Sequence, residues 1–170
     1  MFYRFYQFCS AVHARIDPKE YQWVKKILTK KEYQLFLQQP LPDQRHALDV
    51  ALEIEQNSEK IKEQYGTTAY HNLLHAALLH DCGKSVAPPH LWQRILIVII
   101  NSLPATCVRK LSSGSNFLGK TLILHRQHPL QGKQLAALAG CEDEVLTLIE
   151  NHHSPTTNLE RFLWEIDSRH

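Results

Sequence analysis

Histidines and aspartates recur in this 170-residue chain at places where they could gather round a cation. His80 and Asp81 stand side by side at the end of an apolar run that includes Leu73, Leu74, Ala76, Ala77, Leu78 and Leu79. Such a run reads as a helix buried nearly all round at the centre of a domain. Neighbouring helical positions point about 100° apart, so both side chains can reach an ion lying between their directions. A buried carboxylate beside a neutral imidazole is costly unless something pairs with it, and a divalent metal is a common partner. The plainer alternative is a hydrogen-bonded His–Asp pair at a helix end. Gly83 is expected to end the helix, with Lys84 following as a fixed positive charge.

Four further places offer the same chemistry. His46 shares a helical face with the apolar residue Val50, in a helix whose Ala47, Val50, Ala51 and Ile54 turn inward. His128 precedes Pro129, and His152-His153 ends a helix whose inward residues are Val145, Leu146, Leu148 and Ile149. Asp167 lies four residues beyond Leu163, on the border of a buried stripe where a solvated carboxylate has no reason to be. Imidazole and carboxylate suit iron, manganese, nickel or zinc, and no thiolate stands among the candidates to favour zinc alone. One or two such ions can activate water and neutralise phosphoryl oxygens. Lys84 could add charge toward a phosphate or simply cap a helix C-terminus. Arg94 and Arg126 could hold the rest of a nucleotide, or be solvated charges. His71 and His75 share a face, but His80 lies about 140° round from His75, so they read as polar edges of the helix. Asp49 could orient His46 or remain an exposed helical carboxylate.

These groups need a helical scaffold. Apolar residues recur at helical spacing in every long segment and no period-two pattern survives, so the expectation is one all-α domain of about seven to nine helices. Phe2, Phe5, Tyr6 and Cys9 mark a first amphipathic helix. Lys19 to Leu28 and Lys31 to Gln38 follow, the latter capped by Thr29 and stopped by Pro40. Gln44 to Gln64 reads as one long helix, and Tyr65-Gly66-Thr67-Thr68 closes it and caps the central one. His90 to Asn101 is apolar throughout, Ser112 to Asn116 reads as a loop, and Leu118 to Gln127 as a short helix. His128 is the expected N-cap of the next helix, which excludes His125 from the set, and Gly140 ends it. Glu142 to Asn151 and a last helix through Ile166 complete the chain.

Composition narrows the partners. A formal charge of +2 makes no case for nucleic acid or a membrane surface. Cys9, Cys82, Cys107 and Cys141 have no CxxC spacing and suit reduced thiols in a cytoplasmic protein. The N-terminus lacks the build of a signal peptide, and Ile95 to Ile100 is too short to span a bilayer. The apolar His90–Asn101 helix must be buried, in the domain's own core with a contribution to a homodimer.

In order, His46, His80-Asp81, His128, His152-His153 and Asp167 resemble the HD phosphohydrolase superfamily, whose signature is H…HD…D on a bundle of helices. The resemblance spans roughly Asp43 to Asp167. It is carried by Gln44-Arg45-His46-Ala47-Leu48-Asp49-Val50-Ala51 and Ala77-Leu78-Leu79-His80-Asp81-Cys82-Gly83-Lys84. His128-Pro129-Leu130-Gln131-Gly132 is similar to the family's H-P-x-x-G, and Ile149-Glu150-Asn151-His152 to its I-x-x-H. The resemblance implies a helical-bundle HD domain at 43–170 behind an N-terminal helical extension at 1–42. It implies that His46, His80, Asp81 and Asp167 hold a first divalent transition metal, and that His128 and His152 hold a second with Asp81 bridging. His153 would be a further ligand or a neighbour. The implied activity is hydrolysis of a phosphoester or phosphoanhydride of a nucleotide-type small molecule by metal-activated water, with Asp81 and Lys84 in the catalytic machinery. Where the HD-GYP branch carries Gly-Tyr-Pro after its paired histidines, this chain has Ser154-Pro155-Thr156-Thr157. That departure points away from cyclic-di-GMP hydrolysis and toward small stand-alone phosphohydrolases, including those like the helical diadenosine tetraphosphatases. The alternative is a degenerate HD module that binds a nucleotide or a protein without catalysis.

Overall fold

The computed structural model describes residues 14–86 and 117–170, and for 117–126 the backbone alone. Among the described residues there are eight α-helices and no strand, an all-α fold. They are α1 (Pro18–Ile27), α2 (Lys30–Gln38), α3 (Leu41–Gln56), α4 (Ser58–Tyr65), α5 (Thr67–Leu79), α6 (Phe117–Ala139), α7 (Asp143–Asn151) and α8 (Asn158–Asp167), with a 3-10 turn at Cys82–Val86. The sequence-based readings at Phe2–Cys9, His90–Asn101, Ser112–Asn116 and Arg94 lie outside the described residues, as does the Arg126 side chain. No helix of the described residues is long and apolar enough to cross a membrane.

Local chemistry sets the helix starts. Asp17, Thr29 and Thr157 each accept a hydrogen bond from the first turn of the helix they precede, while Glu20, Glu32 and Glu160 reach back to the cap backbone. These are three complete capping boxes, each satisfying N–H groups that a helix start leaves without partners. Pro18 adds a preset backbone angle at the start of α1.

Helix α5 is the axle of the bundle. It touches α1, α2, α3, α4, α7 and α8, and nine of its thirteen residues are buried, the exceptions being Thr67 and Thr68 at its start and His71 and His75 along one edge. Burying Leu73, Leu78 and Leu79 contributes about 1.5–3 kcal/mol each. Val24 and Phe36 from the first two helices share one continuous core with Leu48, Leu73 and Leu163. Arg45 on α3 ties α1 to the core through Glu20 (2.9 Å) and pairs with Asp49 (2.6 Å).

Three expectations need correction. The Gln44–Gln64 segment is two helices, because Asn57 turns its side-chain amide back onto Glu53 O (2.8 Å) and leaves helical geometry at φ −99° and ψ 13°. The expected break at His128 is absent: α6 runs unbroken through Pro129, so His128 is an interior helical residue and not a cap. Proline's preference for a first turn is local, and the packing of α6 against the 3-10 turn and α7 overrides it. Finally, α5 ends at Leu79, before Gly83, whose φ is not positive. Gly83 serves a different purpose, described below.

His75 also departs from its expected role as a plain polar edge. Its Nδ1 lies 3.0 Å from Glu32 Oε1, which also accepts from Cys141 Sγ at 3.1 Å. Burial raises the Glu32 carboxyl, but the hydrogen bonds from His75, Cys141 and Thr29 outweigh it and bring it down to about 2 from an ordinary 4.5. A depressed carboxylate contributes stability that is fully present above its ordinary value and is lost as the pH falls toward its folded value. Glu32→Gln should therefore remove the part of acid destabilisation that falls between those two values, read from denaturant midpoints against pH. An unchanged acid limb would show that the Glu32 tie is not ionic.

Candidate metal centre

Five helices deliver the predicted groups to one place. His46 comes from α3, His80 and Asp81 from the end of α5, His128 from α6, His152 and His153 from the end of α7, and Asp167 from the last residue of α8. His46 Nε2 lies 2.8 Å from Asp167 Oδ1, and His80 Nε2 lies 3.4 Å from that same oxygen. Asp81 faces two ways. Its Oδ1 is 3.2 Å from His128 Nε2 and 3.8 Å from His152 Nε2, while its Oδ2 is 3.6 Å from His80 Nε2. Two groupings can each hold an ion: His46, His80 and Asp81, and separately His128, His152 and His153.

Helix ends set the tautomers. His80 Nδ1 lies 2.8 Å from Ala77 O, and His152 Nδ1 lies 2.7 Å from Ile149 O. A carbonyl only accepts, so both Nδ1 atoms carry the hydrogen, and in the neutral ring each Nε2 presents a lone pair to the centre. These bonds also use helix-end carbonyls that lack a partner within the helix. His128 Nε2 and His152 Nε2 are 3.3 Å apart.

The electrostatics call for positive charge. Burial raises the Asp81 carboxyl, yet Lys84, His80 and His128 outweigh it and hold it well below the usual carboxylate range. For Asp167, burial is likewise outweighed, by His80 and His46, and its carboxyl too is held far down. Burial lowers His80, but Asp81 and Asp167 push it up to about 9. His152 is lowered well below its ordinary value by burial, then by His80 and His153. His153 is lowered to about 4 by burial and then by His128.

The donor set fits a divalent metal. His80 Nε2 and Asp81 Oδ1 are buried with no hydrogen-bond partner, an arrangement that costs about 1–3 kcal/mol for each unmet group. A cation accepts lone pairs from imidazole and carboxylate together, and so satisfies both.

Two glycines set the spacing between the halves. A Cβ on Gly83 would lie 2.0 Å from His128 O and 2.6 Å from Gly132 N, so the 3-10 turn rests directly on the α6 backbone. Gly132 faces it, with Gly83 N 3.3 Å from where its own Cβ would stand, and Cys82 Sγ donates to Gly132 O at 3.6 Å. Asp81 and His128 are thereby fixed relative to each other through main chain.

Lys84 joins the site: its Nζ pairs with Asp81 Oδ2. Burial lowers the ammonium, and Asp81, then Asp43, raise it further. His153 is exposed, its ring 3.9 Å from that of His152 and 5.1 Å from that of His128, which places it in the second grouping. Asp49 is not a support for His46; it pairs with Arg45, four residues back on its own helix. Asp43 was missed in the sequence reading. It is buried, one turn before His46 on α3, and its charge reaches Lys84. An acidic residue in a first turn reads as a helix-dipole partner, and only its place one turn below His46 hinted at more.

No family model matches this chain, and neither a curated protein nor a solved structure matches it.

Proposed function

We propose that this chain is a metal-dependent phosphohydrolase of the HD type, acting on a phosphoester or phosphoanhydride of a nucleotide-type substrate. The observation that carries the reading is the division of Asp81, with one oxygen toward His128 and His152 and the other toward His80. A carboxylate so placed suits a bridge between two ions, with His46, His80 and Asp167 on one side and His128, His152 and His153 on the other. Two bound divalent ions would supply acidified water and neutralise charge on the phosphoryl group.

The chain's own residues do the rest. His80 and His152 are locked by their backbone bonds, so little reorganisation is needed to present their lone pairs. His46 Nε2 and Asp167 Oδ1, 2.8 Å apart, stand side by side where one ion could take both. The Lys84 side chain keeps 21% of its surface exposed beside Asp81, where its ammonium can meet a phosphate oxygen. Among the described residues no cysteine offers a ready thiolate: burial, then Asp81, push the Cys82 thiol up to about 12, and burial, then Glu32, raise that of Cys141.

The test is a hydrolysis screen over nucleotides, dinucleoside polyphosphates and simpler phosphoesters, with manganese or ferrous iron added. Chelation should abolish turnover and transition metal should restore it. Lys84→Ala should lower kcat about a hundredfold, far more than metal content, because its ammonium would meet the phosphate as well as Asp81. A metal-loaded protein that hydrolyses nothing yet binds a nucleotide would replace the catalytic reading with that of a binding module.

A further inference from the structure

Glu160 lies outside the ligand set, in the first turn of α8, yet it is only 2% exposed. Its Oε2 accepts from Thr156 N (2.5 Å), Thr156 Oγ1 (2.9 Å) and Thr157 N (3.0 Å), and its Oε1 accepts from Asn151 Nδ2 (2.9 Å). A capping box needs only the bond to Thr157 N, together with the Thr157 hydroxyl accepting from Glu160 N at 3.2 Å. The other three bonds do something else. Asn151 is the last residue of α7 and Thr156 stands just ahead of the α8 cap, so one carboxylate grips both ends of the segment that carries His152 and His153.

We propose that Glu160 is a positioning residue for the second grouping of ligands, fixing the direction in which His152 and His153 leave α7. The inference rests on the two-ion reading above. His152 has its own bond to Ile149 O, but His153 makes ring contacts and no hydrogen bond among the described residues. Its orientation therefore follows the backbone, and the backbone is held by Glu160. All four gripped groups are donors, so both oxygens must accept. A glutamine could keep the grip by donating to a turned-over Asn151 amide, so alanine is the substitution that removes all four bonds. The other capping-box glutamates make comparable tertiary ties, Glu20 to Arg45 and Glu32 to His75, but those reach the sides of helices α3 and α5, whereas Glu160 grips both ends of the non-helical segment that carries His152 and His153.

Manganese titrated calorimetrically into the metal-free full chain tests this, with thermal melting in parallel. Wild type should take up two ions. Glu160→Ala should weaken one of them about 10–100-fold, the scale for losing a group that orients a ligand, and leave the other within about twofold. The weakened ion should be the one that His152→Ala also loses. Thr157→Ala removes the helix cap but not the grip, so it should lower the melting temperature and keep both affinities. Should Glu160→Ala fail to fold, Asn151→Ala leaves the cap whole and should still weaken the same ion. Both ions unchanged in Glu160→Ala, or in Asn151→Ala, would overturn the positioning role, as would equal loss in Thr157→Ala. Wild type taking up fewer than two ions would overturn the two-ion reading and the positioning role with it.

Discussion

Asp81→Asn should take metal content from two ions per chain to none, the largest single loss expected anywhere in the molecule. Each oxygen of Asp81 faces a different ligand grouping, so no other residue belongs to both. The amide keeps the shape but loses the charge, and its NH2 would point a donor at nitrogens that hold cations by lone pairs. His46→Ala should instead lose mainly the ion beside Asp167, and His128→Ala mainly the other. Elemental analysis after loading with manganese and desalting separates these patterns. Full two-ion content in Asp81→Asn would remove the bridging role. A matching circular dichroism spectrum for variant and wild type would show that the loss is one of ligands and not of fold.

Gly83→Ala is expected to have the second-largest effect, and by a wholly different route. The added Cβ would meet His128 O at 2.0 Å, and that atom belongs to a helix backbone that cannot turn aside as a side chain can. Overpacking of this kind costs about 1–3 kcal/mol in ordinary sites, and main chain on both sides puts this one at or above that range. The 3-10 turn would have to lift from α6, carrying Asp81 away from His128. Both the denaturant midpoint and the affinity for the ion at His128 should therefore fall. Gly132→Ala meets the Ile149 side chain first, at 3.1 Å, and should be milder. A Gly83→Ala protein of wild-type stability would mean that the turn and α6 are free to separate.

The parts of this fold legible in the sequence are those that local pattern decides. The α5 run announced a buried axle, and Asp167 betrayed itself by standing at the border of an apolar stripe. The Thr29 cap of α2 was legible in the same way, and the structure completes it with Glu32 and adds two more boxes at Asp17 and Thr157. Where a long-range contact decides, the sequence says less. Pro129 looks like a helix start because its missing N–H is harmless there, and only the packing of α6 against the 3-10 turn and α7 shows why the helix continues. Gly83 looks like a helix terminator, since nothing nearby in sequence reveals that Gly132 lies opposite. Glu32 and His75 are 43 residues apart, and Asn57 breaks its helix with a bond to its own preceding turn. Glu160 reads as a capping glutamate, and its grip on Asn151 appears only once the chain has turned back on itself.

The 2.8 Å contact between His46 and Asp167 closes a span of 121 residues, and that has a bearing on how long the folded molecule lasts. Helical proteins reach their folding barrier largely through local contacts, so α3 and α8 are expected to meet late. As a hypothesis, an ion that needs both residues stabilises the native state without helping the chain over the barrier. Stopped-flow measurements with and without chelator should then show unfolding slowed by metal, while refolding changes less than about twofold. Refolding accelerated as strongly as unfolding is slowed would place the contact in the folding nucleus instead. Metal occupancy would act on this protein as a clock, lengthening the life of the folded state between one opening and the next.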